Sequence, residues 1–503
     1  MGRRWLTWLD MRRLVVVILF LGLAFMATRP PFSADTGWHL QAGRVTVESG
    51  RILQTDVFSH TRYGSRWVNH SWLSQVILYT LFRHLSYPGL SLWVYGAVLA
   101  AFAFVYLQME GDPFLRAFTT VLAAITSGVI WTPRPQLVSF VFTAVVCYVL
   151  HLFKRRGVNR LWTLPPLFVL WVNLHAGYAL GFMVIAAFLI GEVVNHLVNY
   201  VTPPSEPTLD WRNLAMVAGV AVLCALLLVI NPNTTRMWVY YLETVRIPFL
   251  RDYILEWRSP DFHLLGLQPF IWLLLATMAA MGFSGRRADG TDVVTVGLFA
   301  YAALLAGRNI APFALVTAPV LSRHLAPILT RLGWTRRIRR IPRPTPARGA
   351  FHLLLALVVV SILGMRVHQI FQPETIEETL RKDYPIDAIE WIKEHHPPGR
   401  LFNPYNWGGY LIWSLWPEYR VFVDGRTDLY GNDFLHEYLD IELAREAVDE
   451  KLQRYDINLV LTTPNSPLAL YLNCTGGWEE AYADDMAWIF VRSRTASSGG
   501  SDP

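Results

Sequence analysis

The sequence predicts a polytopic α-helical membrane protein of about 11 spans, followed by a soluble α/β domain. Three observations predict it. The 503 residues are 53% hydrophobic and only 16% charged, against roughly 25% charged in an average soluble protein. Apolar runs close to the ~20 residues a bilayer requires recur as far as Ile370. Beyond Phe371, charged residues become frequent and such runs stop. A content of 20 Trp, 21 Tyr and 27 Phe excludes a disordered chain. A net charge of +6 in a membrane protein belongs to cytoplasmic loops, so it does not indicate nucleic-acid binding. Three cysteines are too few for a disulfide framework. Cys147, Cys224 and Cys474 read as unpaired thiols.

The first apolar run, Leu14 to Ala27, follows Arg3, Arg4, Arg12 and Arg13. No clean small-x-small cleavage site follows, so it reads as a retained span with the N-terminus inside. It covers about 14–28. The other spans are expected at about 89–109, 114–131, 136–153, 160–174, 177–199, 212–230, 264–283, 291–306, 309–329 and 351–370. This count places Lys154-Arg155-Arg156, Arg286-Arg287 and the run Arg331 to Arg348 in the cytoplasm, the last with Arg336, Arg337, Arg339, Arg340 and Arg343. It places the C-terminal domain outside. Trp72 to Leu85 is short and broken by Gln75, Arg83 and His84. Counted as a span it would invert the rest, so an interfacial or re-entrant helix is expected there.

The expected domains are therefore 1–372, a membrane domain with its first outer loop at 29–88, and 373–495, an extracytoplasmic α/β domain. The Ser/Gly-rich tail 496–503 is expected to be disordered. Strands are expected at Leu401-Phe402, Arg420 to Val423, Asn458 to Thr462 and Ala487 to Val491, with a helical pattern over Asp433 to Arg454. There is no internal repeat.

This topology gathers polar clusters on the outer face. They contain Asp35, His39, Asp56 and His70, then Arg134, His175, Glu256, Asp261 and Arg308. Ionisable groups at bilayer depth are costly and default to functional sites, so the set suggests one polar cavity. Each residue also has a plainer explanation. Asp35 fits a helix N-cap. His39, His70 and His175 fit hydrogen-bonded interface positions. A divalent metal held by these histidines with Asp35 is the weaker alternative, because the spacing matches no compact ligand motif. Arg134 and Arg308 fit snorkelling side chains. Arg308, however, lies on the side without the basic excess, where an anionic partner suits it better. Polar clusters confined to one face favour group transfer over transport, which needs access from both sides.

Several motifs carry a family resemblance. Asp35-x-Gly-Trp-His-Leu is followed by Thr55-Asp56-x-Phe58-Ser59 and Trp67-x-Asn69-His70-x-Trp72. Asn173-Leu174-His175-Ala176-Gly177 and Glu256-Trp257-x-Ser259-Pro260-Asp261 come next. Asn403-Pro404-Tyr405-x-Trp407-Gly408-Gly409-Tyr410 and Asp424-Gly425-Arg426-x-Asp428-Leu429-Tyr430 complete the set. Over nearly its whole length the chain resembles bacterial multi-span proteins classed with the GT-C superfamily of membrane glycosyltransferases. The resemblance implies a bacterial inner-membrane enzyme that takes sugar from a polyprenyl-phosphate donor. It implies transfer, with inversion, to a glycan, lipid or protein acceptor on the extracytoplasmic face. Asp35 matches the acid that such enzymes carry in the first outer loop, and would serve as base. Arg308 first and Arg134 second would hold the leaving phosphate, with His39, His70 and His175 orienting substrate. The chain lacks an acidic pair at Asp35, and Ser71 stands where the closest group carries Glu. Those departures favour a non-catalytic scaffold in envelope polysaccharide or glycoprotein assembly as the alternative. A transporter of lipid-linked substrate is the third reading.

Overall fold

The structure is a computed structural model that describes residues 8–199, 207–334 and 345–493. Arg3, Arg4, the run from Arg336 to Arg343 and the tail 496–503 lie outside the described residues.

Along the chain, α1 (Met11–Ala27), α2 (Thr36–Ser49) and α3 (Trp72–Gln108) precede α4 (Pro113–Ser127), α5 (Gln136–Arg156) and α6 (Leu164–Leu174). Next come α7 (Ala179–Asn199), α8 (Trp211–Leu227) and the short α9 (Met237–Val245) and α10 (Pro248–Tyr253). Then follow α11 (Gln268–Phe283), α12 (Gly290–Leu305), α13 (Ile310–Arg331) and α14 (Pro346–Ile370). Every expected span coincides with a helix, but not every helix has a span's length. Among the described residues seven helices are long and apolar enough to cross a membrane, and three further apolar helices are shorter. The stretch left over from the span count, Trp72 to Leu85, opens α3. That helix breaks at Ser86, whose φ is 54°, two residues before Pro88. Pro88 cannot donate to the preceding turn, which separates this segment from the run after it.

The chain forms two compact units. One comprises Met1–Arg29, Leu90–Tyr241 and Arg251–Ile370. The other comprises Pro30–Gly89, Leu242–Leu250 and Phe371–Pro503. The first outer loop, expected with the membrane domain, thus packs with the C-terminal residues instead.

In the helical unit, aspartates cap several helices as their short acceptor side chains favour. Asp112 accepts from Phe114 and Leu115 N–H, and Asp210 from Asn213 N–H. Helices α7 and α12 meet backbone to backbone: a Cβ on Gly191 would lie 2.3 Å from the Thr291 Cα, and one on Gly290 2.4 Å from the Gly191 oxygen. Small residues permit this approach, as in other helix pairs that lack a hydrophobic driving force.

The second unit holds a four-stranded mixed sheet in the order β1-β2-β4-β3. β1 (Arg400–Phe402) runs parallel to β2 (Ile457–Thr462). β4 (Trp488–Arg492) is antiparallel to both β2 and β3 (Trp478–Ala483). The core joins Trp38, Phe58 and Trp67 of the Pro30–Gly89 segment to Leu401, Leu411, Ile412, Leu459 and Ile489. Three expectations need correction. Arg420 to Val423 forms no strand, because its backbone is claimed elsewhere. Val421 N–H donates to Phe58 O, and Phe422 N–H to the Asn403 side chain. Trp478–Ala483 is an unexpected strand; Glu479 and Glu480 at its exposed edge hide the alternation. The helix over Asp433 to Arg454 is two, Asn432–Glu442 and Val448–Arg454. Ala444 and Ala447 take positive φ between them, a turn that alanine does not signal.

Candidate functional site

In the helical unit, a pocket opens near the start of α5. It is lined by Gln136, Ser139, His175, Tyr241, Arg308 and Asn309, among others. Its polar groups have fixed roles. Trp171 Nε1 donates to Ser139 Oγ at 2.7 Å. Ser139 Oγ lies 2.7 Å from His175 Nδ1, which also accepts from Gly177 N–H at 3.1 Å. A backbone N–H can only donate, so His175 Nδ1 is the acceptor and the ring carries its proton on Nε2.

Arg134, at the same end of the unit, donates to Glu256 Oε1 at 2.5 Å. Burial opposes ionisation of Glu256, but Arg134 and then Arg308 outweigh it and hold the carboxyl below its usual range. Arg308 itself lies 4.1 Å over the Trp257 ring. Among the described residues no carboxylate comes within ion-pair distance of it. The pocket therefore keeps one planar cation whose donors are not committed to a carboxylate. Asp261 stands apart from it: exposed, it accepts from His263 N–H at 2.9 Å and shapes its own turn.

The other end of α5, about 30 Å away at 1.5 Å per residue, carries the first of the basic clusters, and its charges are paired. Lys154 is 5% exposed. It pairs with Glu192 and donates to both Asp289 oxygens at 2.6 and 2.7 Å. Arg155 reaches Asp289 at 3.0 Å, and Arg323 pairs with Asp292. Burial opposes the Asp289 charge, yet Lys154 holds that carboxyl well below its usual range. Polar clusters are thus not confined to one end of the unit, as the sequence had suggested.

In the second unit, Asp35 takes the N-cap position of α2 but makes no capping bond with its side chain. Its Oδ1 accepts instead from Trp38 Nε1 at 3.1 Å. A Cβ on Gly425 would meet that oxygen at 2.0 Å. The Asp35 charge also helps raise the Tyr384 and Tyr405 phenols, whose main cause is burial. His39 is buried against the Trp38 ring, 3.6 Å between centroids. His70 precedes α3 in a turn, its N–H bonded to Val68 O.

Asp56, expected to bind substrate, is instead wholly occupied by the protein. Oδ1 accepts from Phe58 N–H at 3.1 Å and from Arg426 Nη1 at 2.6 Å. Oδ2 accepts from Ser59 N–H and Oγ at 3.1 and 2.6 Å. Arg426 also forks onto Asp424 through Nε and Nη2, at 2.8 and 2.6 Å, and Tyr430 donates to Asp424 at 2.7 Å. The glycine motifs complete this joint. A Cβ on Gly37 would lie 2.2 Å from Gly409 O, and one on Gly409 2.1 Å from Ala34 O. These glycines let α2 lie on the helix Gly408–Leu415.

Sequence reasoning passed over Ser139 and Tyr241 in the pocket. A signal existed for Ser139: it follows Gln136 by three residues, which puts both on one helix face. The metal alternative finds no support in the donor set. No group of three His, Cys, Asp or Glu side chains that could hold an ion occurs among the described residues.

No protein-family model matches the chain, and no curated protein matches it in sequence. Solved structures do. The Archaeoglobus fulgidus oligosaccharyltransferase in the apo form aligns over 97% of this chain and 76% of its own, at TM-score 0.56 and 12% identity. The same enzyme tethered to an acceptor peptide containing the NVT sequon aligns over 97% and 75%, at TM-score 0.53 and 12% identity. ArnT from Cupriavidus metallidurans, bound to undecaprenyl phosphate, aligns over 96% and 98%, at TM-score 0.46 and 14% identity. At these identities the likeness speaks for the fold. The chain shares the fold of the archaeal oligosaccharyltransferase.

Proposed function

We propose that this chain is a lipid-linked sugar transferase that moves a sugar, with inversion, from a polyprenyl-phosphate donor to an acceptor on the extracytoplasmic face of a bacterial inner membrane. The GT-C-like fold supports a glycosyltransferase. The observation that carries the donor class is Arg308. It lines a pocket, stacks on Trp257 and meets no carboxylate at ion-pair distance among the described residues. A planar guanidinium so held suits a phosphate leaving group. His175, with its proton on Nε2, adds a neutral donor. Arg134, already bonded to Glu256, becomes a positioning residue for that loop. Preorganised charge of this kind is commonly the largest catalytic contribution.

Asp35 acts as the base that takes the acceptor hydroxyl proton. Its support is the motif it opens, and its carboxylate lies against Trp38 Nε1 and Gly425 rather than on the α2 N-terminus. General-base help is worth about 10²–10⁴ in rate. Asp35→Asn should therefore lower transfer by at least about 100-fold while purified protein keeps its melting temperature. Full transfer by that variant would refute the assignment.

A second reading, a non-catalytic relative within envelope assembly, is favoured by Asp56. That acid of the first outer loop is committed to Arg426 and cannot serve a substrate. Transfer of radiolabelled sugar from a polyprenyl-phosphate donor by the purified wild type separates the two readings.

A further inference from the structure

Ser139 departs from the habit of the hydroxyl side chains around it. Inside a helix, a Ser or Thr hydroxyl commonly gives its proton to the carbonyl one turn back. Thr143 in α5 donates to Ser139 O at 2.7 Å, and Thr277 in α11 donates to Leu273 O at 2.7 Å. Ser139 reaches out of its helix instead. Its Oγ accepts from Trp171 Nε1 at 2.7 Å and lies 2.7 Å from His175 Nδ1. Ser139 and Trp171 are both buried.

The direction of this chain is fixed at both ends. An indole N–H only donates, so Ser139 Oγ is the acceptor there. A backbone N–H only donates too, and that of Gly177 meets His175 Nδ1 at 3.1 Å. Nδ1 is therefore an acceptor, and the Ser139 hydroxyl proton points to it. Ser139 Oγ has no other hydrogen-bond partner among the described residues. The backbone supports the arrangement. His175 leaves α6 in an extended conformation, and its ring closes the turn Ala176–Tyr178 through the Gly177 N–H. The single Nδ1 lone pair thus faces two donors of the protein itself. It cannot take a proton from a substrate without giving up both. What the ring has to give is the proton on Nε2.

We propose that Ser139 is a positioning residue of the Arg308 pocket: it holds His175 as a neutral Nε2 donor toward a bound phosphate and bars it from acting as a base. Ser139, His175 and Arg308 all line that pocket. The proposal rests on the phosphate reading of the site and leaves proton abstraction to another group.

A double-mutant cycle on the full chain in lipid nanodiscs, with undecaprenyl phosphate as the probe, tests it. His175→Ala should weaken binding about tenfold and Ser139→Ala about fivefold, the range of one lost hydrogen bond. The double variant should lose no more than about tenfold, because Ser139 acts through His175. Ser139→Thr keeps the hydroxyl and should bind within about twofold of wild type. Melting temperature is not the readout, since Ser139→Ala leaves the buried Trp171 N–H without its acceptor whatever the hydroxyl does for His175. Losses that multiply to about fiftyfold in the double variant would make Ser139 merely structural and overturn the proposal. Wild-type affinity in Ser139→Ala would overturn it too. If the wild type does not bind undecaprenyl phosphate, the phosphate reading falls, and NMR of ring-nitrogen-labelled histidine decides the link between Ser139 and His175 separately. With the His175 signal assigned by its loss in His175→Ala, Nδ1 should be unprotonated in the wild type. It should move downfield in Ser139→Ala, as the nitrogen loses a donor. A protonated Nδ1, or a signal that does not move, would overturn the link.

Discussion

The two ends of α5 carry the same kind of side chain in opposite circumstances. At one end Lys154 and Arg155 are buried among Glu192, Asp289 and Asp292. At the other, Arg308 occupies a pocket with no carboxylate at ion-pair distance among the described residues. The contrast separates charge that holds a fold together from charge that awaits a ligand. A buried pair contributes little net stability over an apolar isostere, but breaking it is costly. A cation whose donors are not bound to a carboxylate can instead give them to a ligand.

The comparison is broken most forcefully at the compensated end. Lys154→Met leaves Glu192 and Asp289 buried and unpaired, and should cost about 3–5 kcal/mol, read by denaturant unfolding in detergent. The same size of loss is expected for Arg426→Met, which strands Asp56 and Asp424. If either variant unfolds like wild type, the network is not doing what its burial implies.

Arg308→Ala should behave in the opposite way. Binding of a polyprenyl phosphate should fall about 10–100-fold, equivalent to about 1.4–2.8 kcal/mol, with little change in stability. Arg308→Lys should recover only part, because a point charge cannot reproduce the planar fork. Unchanged affinity in Arg308→Ala would move the phosphate site elsewhere.

The smallest effect concerns a group neutralised by burial rather than by a partner. His60 has a folded pKa of about 4 against an ordinary 6.5. As pH falls, the unfolded chain takes up this proton first. The His60 contribution to stability is thus full above about pH 6.5 and declines as pH falls toward 4. An NMR titration of the imidazole giving a midpoint near 6.5 would remove it.

Much of this was legible beforehand. Period and length exposed the long apolar helices, since a span must satisfy its backbone internally and be apolar throughout, but not the short α9 and α10. Strands β1, β2 and β4 were readable as apolar runs. The site was less legible. Arg308 and Glu256 were singled out as polar groups, yet nothing local distinguishes Arg134, which has a carboxylate partner 122 positions away, from Arg308, which has none at ion-pair distance among the described residues.

By itself the sequence determined composition class, the apolar rods and the residues on which a family resemblance rests. Only tertiary structure decided which charges are compensated. It made Asp56 a partner of Arg426, and Lys154, in the sequence one member of a basic cluster, a buried and paired charge. It also decided that Gly37 and Gly409 are sites of backbone contact. The physical reason is common to all three. Hydrophobic periodicity is a local property, whereas the free energy of a buried charge or a bare backbone depends on groups that distant chain segments bring within 3 Å.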